Sequence, residues 1–347
     1  MSSLNPRDLA ILRDIIRTHV QSGEPVSSRT VSKHSEHRLS AASIRNVMAD
    51  LEEIGLLAQP HTSAGRVPTQ AAYRLYVQSL MSNRQLPDKE RRYIEETLGS
   101  AVSDAHRLMS VVSHLLSELS HQVGVVMTPG TEENCLRALD FVRLQDRRVL
   151  CVLVSTSGFV DHVVIETESE FSREELVRIS NYVNDTFTNL GLREIRDHLL
   201  SQMSQQNNRL DRLLSCAIEL AQGVVSAQNQ RQEVLVEGTT SLLDHPELAN
   251  VARIRQMLDT FADQARLVQI LNQCLEGDGV RVFIGEDSDL TSELDFSLVG
   301  ISYGDGQRTL GSLGIFGPSR MEYPRIVPLV RFLGEALSRT LSQGSFS

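Results

Sequence analysis

From residue 40 to residue 54 the chain combines two kinds of chemistry. Ile44, Val47, Met48, Leu51 and Ile54 fall on one arc at helical spacing, which predicts a helix that buries that side. The opposite face carries Ala42, Asn46, Ala49 and Glu53, with Arg45 on its flank. Small side chains there permit close approach to a surface. Asn and Arg are the side chains whose forked donors and acceptors match the edges of adenine and guanine. The acids Asp50, Glu52 and Glu53 are held back toward the C-terminal end, so the first two turns face outward without negative charge. Ser40 supplies an N-cap, and Ser43 a second hydroxyl, beside a helix end that favours phosphate. Such a helix can enter a major groove with its N-terminal turns against the bases. An ordinary amphipathic helix with a solvated face has the same periodicity, so the neighbouring elements must decide.

Those neighbours are informative. Asn5-Pro6 reads as an N-cap followed by a proline at the first helical position; Leu9, Leu12, Ile15, Ile16 and Val20 follow at helical spacing, and Gly23 stops the helix. Ser27 caps a short second helix stapled by Val26 and Val31. After the third helix, 56–59 reads as a strand, 60–66 as a tight polar connection with Gly65 available for positive φ, and Val67-Pro68 as the return strand. Thr69 then caps a fourth helix bearing Tyr73, Tyr76, Val77 and Leu80. Three helices, a hairpin and a helix form the winged helix-turn-helix layout, expected over residues 1–81. The hairpin tip presents His61, Thr62, Ser63 and Arg66, groups suited to phosphate or a minor groove. With Arg29 in the second helix, they complete a candidate DNA-contact set of Arg29, Ser40, Ala42, Ser43, Arg45, Asn46, His61, Thr62, Ser63 and Arg66.

A net charge of −10 argues against nucleic acid only if the chain is averaged. Residues 1–85 hold ten Arg and Lys against seven acids, a charge of +3, which leaves −13 on the remainder. A mildly basic head on an acidic body suits a DNA reader whose body does something else.

The run Leu39-Ser40-Ala41-Ala42-Ser43-Ile44-Arg45-Asn46-Val47-Met48-Ala49-Asp50-Leu51-Glu52 resembles the HrcA family of bacterial heat-inducible transcription repressors. So do the segments from Gln59 to Thr69 and from Tyr73 to Val77, and the late run from Gly311 to Pro324 (GSLGIFGPSRMEYP). Ser43 stands where the family usually has Thr, and Ala72 where it usually has Gly. The resemblance implies a homodimer that binds an inverted-repeat operator, the CIRCE element, upstream of chaperone operons. It also implies that the chaperonin GroEL keeps the repressor active. For the body it implies a GAF-like domain interrupted by an inserted dimerisation domain.

Beyond a polar linker at 82–92, one helical stretch is expected from about Lys89 to Leu119. Strands are expected at Val123–Met127, Leu136–Leu144, Val149–Val154 and Phe159–Ile165, with a helix from Ser172 to Phe187. Strands resume at Val280–Ile284, Phe296–Tyr303 and Thr309–Phe316, and a last helix covers Met321 to Leu341, with Ser319 as its N-cap. The pattern reads as α+β, with a GAF-like domain in two parts, 82–191 and 278–347, around a mostly helical insertion at 192–277. The insertion's stripes are Leu210, Leu213, Leu214, Ala217, Ile218, Ala221 and Val225, then Val251, Ile254, Leu258, Phe261, Leu267, Ile270 and Leu271, with a short strand at Val234–Val236.

No catalytic constellation emerges: there is no GxSxG elbow and no HExxH, and Gly304, Gly306 and Gly311 lack phosphate-loop spacing. No enzyme, cofactor or metal is expected. Cys135, Cys151, Cys216 and Cys274 form no CxxC pair and read as buried small hydrophobes in a reducing cytoplasm. No apolar run reaches membrane-span length. Two other functions compete: a regulator gated by a small molecule in the GAF-like domain, and an enzyme with a DNA-binding head.

Overall fold

The computed structural model describes residues 4–34, 39–61, 64–80, 85–101, 105–129, 135–145, 147–156, 158–167, 170–191, 194–195, 197–198, 220, 233–244, 251–275, 277, 279–285, 296–306 and 308–342. It is a mixed α and β structure.

The head begins with α1 (Pro6–Ser22), where Asn5 Oδ1 accepts the Asp8 N–H at 2.8 Å. Gly23 takes the left-handed conformation, φ 70°, and donates its N–H to His19 O, which ends the helix. α2 (Ser28–His34) starts where Ser27 Oγ accepts the Thr30 N–H at 3.2 Å. α3 (Ala41–Glu53) follows, then an antiparallel ribbon of β1 (Leu57–Ala58) and β2 (Val67–Pro68), and α4 (Gln70–Leu80). Ile11, Leu12, Ile15, Ile16, Val31, Ile44, Leu51 and Tyr76 are buried among them.

The segment expected as one helix is two, α5 (Asp88–Gly99) and α6 (Ala105–Ser120). Gly99 and Ser100 lie at the break, and Ser100 bonds back to Thr97 O through its own Oγ, a local alternative to continuing the helix. β3 (Val123–Met127) then enters a five-stranded antiparallel sheet. Its other strands are β7 (Val234–Glu237), β8 (Arg281–Ile284), β9 (Phe296–Gly304) and β10 (Thr309–Pro318), in the order β7-β3-β10-β9-β8. One face packs Val126, Val299, Ile301, Leu313 and Ile315 in the same core as α6 and the last helix, α10 (Tyr323–Ser342). The other face packs Val125, Met127, Leu298 and Phe316 against Phe261 of α8 (Val251–Ala262) and Leu267, Ile270 and Leu271 of α9 (Gln264–Asn272). α10 starts at Tyr323, so Ser319 is not its N-cap; Ser319 O instead accepts the Tyr323 hydroxyl at 2.8 Å.

Between β3 and β7 stands a separate antiparallel sheet of β4 (Leu136–Arg143), β5 (Arg148–Ser155) and β6 (Val160–Glu166). α7 (Arg173–Phe187) covers one of its faces, with Leu176, Ile179, Val183 and Phe187 buried. Asn184 and Ser180 fasten that helix to the β4 backbone at Leu139 N, 2.7 Å, and Phe141 N, 3.1 Å. The expected division at 191/192 is therefore not where the sheets divide. The strands of 136–166 do not join the late strands, whereas the strand at 234, expected inside the insertion, is an edge of the main sheet. The stripe from Phe261 to Leu271 belongs to the main body, covering its second face. Alternation of period two says which side of a strand is buried, not which sheet it joins. The earlier stripe, Leu210 to Val225, lies outside the described residues.

Cys135, Cys151 and Cys274 are buried. Burial pushes the Cys151 and Cys274 thiols up to about 12, which leaves them protonated and unreactive near neutral pH. Cys216 lies outside the described residues, and among those described no helix is long and apolar enough to cross a membrane.

Candidate nucleic-acid interface

α3 is held by the head core on one side only. Ile44, Val47, Met48 and Leu51 are buried, while Ala42, Arg45, Asn46, Ala49 and Asp50 are exposed along the opposite side. Ile54, expected in the core stripe, instead caps the helix with φ −88°, ψ 7° and is 54% exposed. At the N-terminus Ser40 Oγ accepts the Ser43 N–H at 3.1 Å and lies 3.0 Å from Ser43 Oγ. Ser40 is thus committed to capping, and its hydroxyl pair sits beside the positive end of the helix dipole. Among the described residues, neither Arg45 nor Asn46 has a side-chain hydrogen bond or ion pair. Their donors and acceptors project into solvent from the first two turns, next to Ala42 and Ala49, which leave the helix backbone approachable.

The ribbon is fixed to the loop before α2 and to the end of α3. Val26 and Arg66 exchange backbone hydrogen bonds, Val26 N to Arg66 O at 2.8 Å and Arg66 N to Val26 O at 2.9 Å, so the loop before α2 acts as a third short strand. Gly65 is required by that approach: a Cβ there would stand 2.4 Å from Val26 O. Its glycine is therefore explained by crowding, not by the positive φ expected from the sequence. Arg66 Nε donates to Glu52 Oε2 at 2.7 Å, which ties the ribbon to the last turn of α3 and offsets the acid nearest the ribbon. Beyond it, Gln59 Nε2 donates to Ala64 O at 3.2 Å, closing the connection.

Of the sequence-predicted set, Ala42, Arg45 and Asn46 share the exposed side of α3, Ser40 and Ser43 form its cap, and Arg29 and His61 are exposed on α2 and the ribbon connection. Arg66 is half-buried and engaged with Glu52. Thr62 and Ser63 lie outside the described residues.

Sequence reasoning missed how the head meets the body. Arg320, in the turn before α10, donates through Nη1 to Val20 O at 3.3 Å. Tyr73 of α4 places its hydroxyl 2.9 Å from His19 Nδ1 and its ring 6.1 Å from that of Tyr323. Arg74 Nη2 donates to Ile284 O at 3.1 Å, at the end of β8. Burial and, second, the Arg320 charge push His19 below its ordinary value of 6.5. Head and body share one continuous core through these contacts. No local signal ties the late run containing Arg320 and Tyr323 to the head, since both contacts arise only from tertiary packing.

The comparisons with known proteins agree with one another. The family model described as HrcA protein C terminal domain matches residues 106–327. The chain is 38% identical over 344 residues to a heat-inducible transcription repressor of Syntrophobacter fumaroxidans, covering 99% of each chain. It is 39% identical over 341 residues to the protein of the same description from Geobacter sulfurreducens, covering 98% of this chain and 99% of that one. A crystal structure described only as that of a hypothetical protein superposes with a TM-score of 0.66 at 22% identity, covering 99% of this chain and all of the other, a likeness of fold. The exposed polar side of α3 thus sits in a chain similar over nearly its whole length to named repressors, and the chain belongs to the HrcA family of heat-inducible transcription repressors.

Proposed function

We propose that the head is a winged helix-turn-helix that reads the operator of chaperone genes, with α3 in the major groove and the ribbon against the backbone. Arg45 and Asn46 read base edges; Ser40, Ser43, Arg29 and the ribbon residues His61, Thr62, Ser63 and Arg66 position the head on phosphates. The observation that carries this reading is the pair of unengaged forked side chains, Arg45 and Asn46, on the exposed first turns of α3. A protein of a repressor family has a DNA partner, and a two-fold inverted repeat such as CIRCE calls for a dimer.

The dimer contact is assigned to the open face of the β4-β5-β6 sheet. Val142, Leu150 and Val164 form one cross-strand row, and Ala138, Val154 and Val160 another. Val142, Val160 and Val164 are 48%, 68% and 49% exposed, a large apolar content for a sheet face. The row between them is Asp140, Val152 and His162, and exposed Arg148 and Glu166 stand at its edge, so both charge signs are available to a self-complementary two-fold contact. The inserted dimerisation unit then lies between β3 and β7, and the five-stranded unit is the GAF-like domain.

GroEL dependence follows from the family resemblance and is supported by topology. Val126 pairs with Leu313, and Val125 with Gly314, across the whole intervening insertion. Such non-local closure is slow and leaves strand edges exposed during folding. The test is footprinting on an inverted repeat upstream of a chaperonin operon, after refolding with and without GroEL and ATP. Protection confined to the repeat, and greater with GroEL, is expected; no protection in either arm refutes operator reading, and equal protection refutes the chaperonin's part.

A further inference from the structure

The body grips the head on two different helices. On α1, Val20 O accepts Arg320 Nη1 at 3.3 Å. On α4, Arg74 Nη2 donates to Ile284 O at the end of β8, 3.1 Å away. Gln70, one turn earlier on α4, lies against Gly285, where a Cβ would stand 2.1 Å from the Gln70 Cδ. Gly285 also has a φ of +57°, so both its conformation and its missing side chain suit that approach. Tyr73, on the same helix, is buried with its ring 6.1 Å from that of Tyr323. Tyr323 is itself anchored in the body, its hydroxyl 2.8 Å from both Ser297 Oγ on β9 and Ser319 O.

One contact would leave the head free to swivel, whereas anchors on two helices remove that freedom. His19 of α1 lies 2.9 Å from the Tyr73 hydroxyl of α4, so the two anchors act on one unit. α3 belongs to the same unit, because Ile44 and Leu51 share the buried core of α1 and α4. Leu86, after the head, is buried in that core as well. The path onward to the three-stranded sheet also has a fixed joint. Thr128 N donates to Glu233 O at 2.9 Å and Glu233 N to Thr128 Oγ1 at 3.1 Å, which clamps the chain where it leaves β3 to the chain where it enters β7.

We propose that this junction is a spacing gauge: it fixes the separation and rotation of the two α3 helices in a dimer, and so the distance between half-sites that the repressor accepts. The proposal rests on the operator and dimer readings above. Each base pair added between half-sites moves the second by about 3.4 Å along the duplex and about 35° around it. A head held on two anchors cannot follow that displacement, while a loosened head can, at the cost of its preorganisation. Gln70, Tyr73, Arg74 and Arg320 are then positioning residues, which select the operator without touching it.

The test is titration of the full-length protein, at fixed salt, with duplexes carrying the inverted repeat at its natural spacing, at one and two base pairs more or fewer, and with a single half-site. The parent is expected to bind the natural spacing about a hundredfold better than the half-site, and to lose about tenfold for a one-base-pair change. Arg320→Gln and Arg74→Gln should leave half-site affinity unchanged, weaken the natural spacing and flatten the profile to within about threefold across the series. Should Arg320→Gln fail to fold, Arg74→Gln carries the comparison from the other anchor. A folded, dimeric variant with the parent's spacing profile overturns the proposal, as does a parent that binds all five spacings equally. An equal loss on the half-site and on the operator overturns it too, since the residues would then serve the fold of the head alone. A parent that does not prefer the half-site to random DNA, or that sediments as a monomer, refutes the operator or the dimer reading itself, and the gauge with it.

Discussion

The Arg320 guanidinium closes the C-terminus of α1: Nη1 donates to Val20 O at 3.3 Å and stands 3.1 Å from where a Cβ on Gly23 would lie. A cation from the body thus satisfies a carbonyl at the negative end of a head helix. Gly23 is doubly constrained, by this approach and by its φ of 70°. Gly23→Ala is expected to destabilise the protein by about 1 kcal/mol or more. Arg320→Gln should loosen the head without unfolding the body. Urea unfolding and protease sensitivity of the junction at 81–87 measure the two. An unchanged unfolding midpoint in Gly23→Ala would show that the cap is not under strain.

His19 makes the same junction pH-sensitive. It sits 2.9 Å from the Tyr73 hydroxyl, and burial, with the Arg320 charge second, holds its pKa below the ordinary 6.5. The folded state therefore binds this proton less well than the unfolded state. The stability it confers is fully present above about 6.5, the unfolded value, and is lost as pH falls from there through the lower folded value. His19→Gln should flatten stability across that window. Melting temperatures from pH 5 to 7.5 decide it, and a mutant with the parent's slope would place the titration elsewhere.

The Glu52–Arg66 pair couples the ribbon to α3. Both side chains are partly exposed, so the pair contributes about 0.2–1 kcal/mol to stability. Its larger effect is expected on binding, because in the proposed docking the loss of Arg66 would leave a bare carboxylate facing the DNA. Arg66→Ala should lower affinity for all sequences and reduce the slope of log K against log salt by about one. Adding Glu52→Gln should restore part of the affinity but none of the slope. Additive effects in the double mutant would show that the pair does not act as a unit.

Local chemistry made the head legible. Asn5, Gly23, Ser27, Ser40 and Thr69 mark their helix ends through caps that need only neighbours in sequence. The strands of the three-stranded sheet were legible for a similar local reason: Leu139, Phe141, Cys151 and Val163 are buried between exposed or half-buried neighbours. Which sheet each strand joins was not legible. Val126 meets Leu313 and Leu235 only through tertiary packing, and nothing in 136–166 announces that it forms a sheet of its own. The site divided along the same line. Arg45 and Asn46 could be placed from helical period alone, but the pairing of Arg66 with Glu52 depends on how the ribbon folds back. The approach of Arg320 to α1 spans nearly the whole chain and leaves no local trace.

The central claim is that α3 reads sequence through Arg45 and Asn46. The most direct measurement compares the affinities of Arg45→Ala and Asn46→Ala for the inverted-repeat operator and for random DNA of equal length and at equal salt. Both side chains are exposed, so neither change should disturb the fold. Each is expected to cost about 1–3 kcal/mol per half-site on the operator and little on random DNA. Equal losses on the two DNAs would contradict the account, since these residues would then touch only the backbone or lie outside the groove.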